Sequence, residues 1–131
     1  MKNPAFKEKL INLIKDEISK IEKLIVDTTN DIITINNSIS LRKNADLIYK
    51  YSLEKVFFND FINKINLMKI SNISSNGIFI SEKNLEDAFY KNILKFLSDE
   101  ILSKEKMENV NELTNLVQIN SYKKMLEICS L

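Results

Sequence analysis

Few side chains in this sequence could do chemistry. Its 131 residues include no His and one Cys, Cys129. Without imidazole there is no triad of the usual kind, no His general base and no His-ligated metal. A carboxylate di-metal site in a helical bundle needs a Glu-x-x-His pair on two helices, and that pattern cannot be written here. Asp16-Glu17 and Asp99-Glu100 are acidic neighbours, but adjacent helix positions point about 100° apart, so each pair reads as solvated surface. The single Gly, Gly77, is too little for a phosphate-cradling loop or a dinucleotide fingerprint. Cys129 has no intramolecular disulfide partner and no His to activate it, so it reads as a small buried apolar residue. Glu54 stands out, because it falls on an apolar stripe. It reads as a stripe end or a partner for a Lys, with a functional buried acid as the alternative. The pattern implies no enzyme, with no catalytic, metal or cofactor residues.

Net charge is +1 and no basic or acidic block stands out, which argues against nucleic acid and anionic membranes as partners. Tyr49-Lys50-Tyr51 and Tyr122-Lys123-Lys124 set aromatics beside lysines, yet neighbours on a helix diverge and do not build a stacking platform. No run approaches the roughly 20 apolar residues of a membrane span. Charges interrupt the first residues, and no secretory or lipid-attachment pattern is present. The expected setting is the cytoplasm.

The elements that carry these residues are helices. One Pro and one Gly leave little material for tight turns and hairpins, so an all-α fold is expected. From Ile11 the apolar positions run Ile14, Ile18, Ile21, Ile25, then Thr28, Ile32, Ile35 and Ile39, in alternating steps of three and four. That spacing keeps one helix face on a partner helix. Leu10, Leu13, Leu24 and Ile33 widen the stripe, as in a bundle. The stretch 26–40 is rich in Thr, Asn and β-branched residues, which are mediocre helix formers. The chain turns within Asn36 to Ser40, or Ser40 caps a new helix. A second stripe follows: Leu47, Tyr51, Glu54, Phe58, Phe61, Ile65, Met68. Residues 1–70 therefore read as a long antiparallel helical hairpin.

Residues 71–81 are a polar loop holding the triplet Ile78-Phe79-Ile80, expected to pack onto the helices. Ser81, Glu82 and Asn84 can open a third helix. Ser103 to Lys106 read as a kink or a new start. Residues 82–131 thus add one or two helices, and the last carries a broad, irregular apolar stripe.

The segments Leu10-Ile11-Asn12-Leu13-Ile14-Lys15-Asp16-Glu17 and Leu53-Glu54-Lys55-Val56-Phe57-Phe58, the spacing between Glu17 and Lys55, and Asn115-Leu116-Val117-Gln118-Ile119-Asn120 before Met125-Leu126 resemble the FlgN family of flagellar export chaperones. The resemblance spans most of the chain. It implies a cytoplasmic chaperone whose partners are proteins. It would hold the helical tails of hook–filament junction (hook-associated) proteins before type III secretion and deliver them to the export apparatus. The Ile78-Phe79-Ile80 loop departs from the family's pattern. The physics of helix-in-groove recognition supports such a role independently. The residues expected to hold the client are Leu113, Leu116, Val117, Asn120, Met125 and Leu126. The alternative is a structural coiled-coil or bundle protein that acts through self-association, as a homodimer along the Ile stripe.

Overall fold

The Ile stripe folds as expected over its first half. In a computed structural model describing residues 4–34, 37–70, 77–107 and 112–130, Phe6, Leu10, Ile11, Ile14, Ile18 and Ile21 of the first helix are all buried. That helix, α1, spans Ala5–Ile33, followed by α2 (Ser38–Leu67), α3 (Glu82–Glu105) and α4 (Leu113–Cys129). Among the described residues there is no strand, and the fold is an all-α helical bundle.

Pro4 precedes the first turn of α1, where its missing N–H is no loss. The stripe does not run on to Ile39. Helix α1 ends at Ile33, Thr34 closes it, and Ile39 stands 82% exposed in the first turn of α2. The helix stops inside the Thr-, Asn- and β-branched-rich stretch, where the backbone has the weakest preference to continue. Ile35 lies outside the described residues. Asn37, not Ser40, caps α2: its side-chain oxygen accepts from the Ser40 N–H at 2.8 Å.

Helices α1 and α2 run antiparallel. Lys7 meets the backbone at Asn66 and Met68, whereas Glu22 meets Lys55 further up, at 3.1 Å. At 1.5 Å per residue the two helices are about 45 Å long. Phe58, Phe61, Ile62 and Ile65 of α2 face the α1 stripe's lower half. The buried Lys7 ammonium donates to the carbonyls of Asn66 (3.4 Å) and Met68 (3.2 Å). These belong to the C-terminal end of α2, where carbonyls lack helical partners and the helix dipole favours a cation.

Ser81 caps α3 by accepting from the Asn84 N–H at 3.3 Å. Helix α3 then runs through Ser103 without a break. Helices α3 and α4 pack together, with the Phe96 and Tyr122 rings 6.4 Å apart. Helix α4 touches all three other helices, and its Met125 and Cys129 join one core with Leu10, Ile14, Phe58, Ile65, Phe89, Ile93 and Leu97. The C-terminal segment is therefore docked on the hairpin.

The Ile78-Phe79-Ile80 triplet does not pack as expected. Ile78 and Phe79 are exposed and only Ile80 is half-buried. Met68, Ile70 and Leu85, which flank the loop in sequence, pack against the core instead and take up the cover it offers.

Candidate functional site

The bundle has two unlike ends. Phe6 and Phe89 sit with ring centroids 5.1 Å apart, which puts the starts of α1 and α3 at one end. The antiparallel pairing of α1 and α2 carries the end of α1 and the start of α2 to the opposite end, whereas α4 meets α2 at Glu54, midway along that helix. In that distal half, α1 beyond Ile21 buries only Thr28, and α2 buries nothing before Glu54. Leu24, Val26, Ile33, Ile39 and Leu41 of the hairpin are exposed there, and Leu102, Met107, Leu113 and Leu116 of the other pair are exposed as well. Water-facing apolar side chains in such number mark surface that a partner can cover.

The residues expected to hold a client divide between core and surface. Val117 and Met125 are 1% and 0% exposed and belong to the interior, where Ser121 between them satisfies its hydroxyl on the Val117 carbonyl at 2.7 Å. Leu126 is half-buried against the core. Leu113, Leu116 and Asn120 are exposed and, at steps of three and four, share one strip of α4. The structure thus brings together three of the six on a surface. The exposed flanks of the hairpin's distal half were not singled out from sequence. Their signal was present in Leu24 and Ile33, which broaden the Ile stripe beyond what one partner helix can cover.

Glu54 is buried, and its carboxylate takes the ammonium of Lys124 across the α2–α4 contact. An open cleft of about 340 Å³ surrounds the pair, lined by Lys50, Tyr51, Asn120, Lys123 and Glu127. The charge on the α2 stripe is thus a structural tie between helices, with a cation already in place against it. Burial, opposed by a hydrogen bond from Gln118 (3.1 Å), pushes the Tyr122 phenol above its ordinary value. Burial also pushes the Cys129 thiol up to about 12, so it stays protonated and unreactive in the fold. Among the described residues no group of His, Cys, Asp or Glu is placed to hold a metal ion, and no helix is long and apolar enough to cross a membrane.

The fold and this surface define a four-helix bundle whose first hairpin exposes apolar side chains along its distal half. No family model matches the chain, and neither a curated protein nor a solved structure matches it.

Proposed function

We propose that this chain is a binding protein that holds another polypeptide through the apolar side chains its bundle exposes, in the manner of the export chaperones its sequence resembles. One observation carries the reading: the distal half of the α1–α2 hairpin leaves Leu24, Val26, Ile33, Ile39 and Leu41 in water, and α4 exposes Leu113 and Leu116, while the opposite half of the hairpin closes a tight core with α3 and α4. A partner helix laid there buries its own apolar face against them, which is how amphipathic segments are recognised. The further reading, that the partner is the helical tail of a flagellar junction protein awaiting secretion, rests on the resemblance alone.

The test is capture on immobilised full-length chain with identification by mass spectrometry, repeated with the variant Ile33→Glu, Leu41→Glu, Leu113→Glu, Leu116→Glu. Those four positions are exposed, so the fold should survive. A defined polypeptide retained by the native chain and lost by the variant supports the proposal. Equal retention by both, or none by either, refutes it. A retained partner unrelated to flagellar junction proteins keeps the binding role and removes the export-chaperone role.

Self-association is the second reading. Ile33 and Ile39, flanking the hairpin turn, are 78% and 82% exposed, and a net charge of +1 sets up little repulsion between copies. Sedimentation would show a dimer that Ile33→Glu with Ile39→Glu dissolves.

A further inference from the structure

Helix α4 lies on one face of the α1–α2 hairpin, and that face runs on past it toward the turn. On α2, Glu54 holds Lys124, and Lys50 and Tyr51 line the cleft against α4. Steps of three and four lead from Lys50 to Leu47, Lys43 and Ile39 on the same side of the helix. On α1, Phe6 marks this face, because its ring meets Phe89 of α3, which packs with α4. Alternating steps of four and three from Phe6 reach Leu24, Asp27 and Asp31. The Glu22–Lys55 pair sets the register of the two helices. Five residues on along α1 and five back along α2, Asp27 stands level with Lys50.

The uncovered stretch has rims of opposite sign. Residues 24–33 of α1 carry Asp27 and Asp31 and no cation, whereas residues 38–53 of α2 carry Arg42, Lys43 and Lys50 against Asp46. All six charges are exposed, and among the described residues none stands within ion-pair distance of a partner. Between the rims lie Leu24, 44% exposed, and the half-buried Leu47, with Ile39 at the tip. A second copy of the chain does not fit this face. With both turns pointing the same way, the α3 and α4 of the two copies would occupy the same space. With the turns opposed, those helices clear each other, but two-fold symmetry lays the acidic rim on the acidic rim. A single helix meets neither obstacle, and α4 already shows a helix seated on this face with a lysine answering an acid of α2.

We infer, building on the binding role proposed above, that this face takes one amphipathic helix of the partner whose apolar stripe has a basic edge and an acidic edge. The stripe lies on Leu24 and Leu47. The basic edge runs along Asp27 and Asp31, and the acidic edge along Lys43 and Lys50. The opposed rims also fix the direction in which the helix lies, since reversing it would set like charges together.

The probes are three synthetic peptides of about 18 residues with one leucine stripe, long enough to be helical. Their two edges are Lys and Glu, Lys and Lys, or Glu and Glu. Each is titrated into the full chain by fluorescence anisotropy. The mixed peptide should bind about tenfold tighter than either of the others at low salt, and the preference should fade near 1 M salt. Asp27→Lys with Asp31→Lys should move the preference to the Glu–Glu peptide. Lys43→Glu with Lys50→Glu should move it to the Lys–Lys peptide. These positions are exposed, so melting temperatures should match the native chain. Equal affinity for the three peptides, or an order unchanged in both charge-reversed variants, overturns the inference. If those equal affinities fall together in the variant Ile33→Glu, Leu41→Glu, Leu113→Glu, Leu116→Glu, the binding role stands without it. Binding of no peptide overturns the inference alone when the immobilised chain still captures a polypeptide, and removes both when it does not. A dimer in sedimentation that either charge reversal dissolves, and a mixture of the two restores, puts a second copy on the face and overturns it as well.

Discussion

Removing Lys124 should destabilise the bundle more than removing Glu54. The Glu54 side chain is 7% exposed and that of Lys124 is 48% exposed. When Lys124→Ala is made, the carboxylate stays inside without its cation. Breaking a fully buried pair costs about 3–5 kcal/mol, and an exposed pair is worth about 0–1 kcal/mol. With one partner buried and the other half in water, the expected cost is about 2 kcal/mol. When Glu54→Met is made instead, the released ammonium reaches solvent and a side chain of similar length fills the seam. That change should cost less than about 1 kcal/mol. The double variant should then match Glu54→Met alone, because no orphaned charge remains. Urea unfolding followed by far-ultraviolet circular dichroism gives the three differences and the coupling between them. For a chain of this size the Lys124→Ala change should lower Tm by roughly 5–10 °C. If the two single changes cost the same and simply add, the pair is not coupled, and the reasoning from burial fails.

Three further outcomes are expected. Phe58→Ala, at a fully buried ring, should cost about 3–5 kcal/mol, read as a lower urea midpoint. Lys7→Met keeps the stem but removes the cation from the end of α2; it should cost about 1–2 kcal/mol, and hydrogen exchange should speed up in the last turn of that helix. Cys129 should resist alkylation at pH 8 until denaturant is added. Its folded pKa is about 12 against an ordinary 9.0, so its stabilising contribution is intact below pH 9 and is lost as pH rises from 9 toward 12; Cys129→Ala should flatten that part of the stability–pH curve.

What was legible in the sequence follows from which signals are local. The three–four spacing of Ile11, Ile14, Ile18 and Ile21 and of Phe58, Phe61 and Ile65 marked faces that the fold does bury, because that period is a property of the helix itself. Ser81 was readable as a start for the same reason: a cap acts within one turn. Asn37 was not chosen over Ser40, since both are capping types and only the tertiary path of the turn decides between them. Within α4, Leu113 and Leu116 looked no different from Val117 and Met125. All four are apolar helix positions, and what separates surface from core is where α3 and α2 stand, which no local pattern states. Lys7 was invisible altogether. Nothing about a Lys in a first turn announces that another helix, sixty residues on, will end beneath it.

The central place of α4 has a consequence for how the molecule assembles. The first two helices can pair soon after they form, since a short turn joins them. Their lower faces, with Leu10 and Phe58, still await the helix that arrives last in the chain. Closing that contact joins opposite ends of the sequence, and loop-closure entropy must be met before the apolar gain is collected. Docking of α4 is therefore the expected slow event in refolding. Until it happens, the paired α1 and α2 form a sticky intermediate whose apolar groove is open to whatever polypeptide reaches it first.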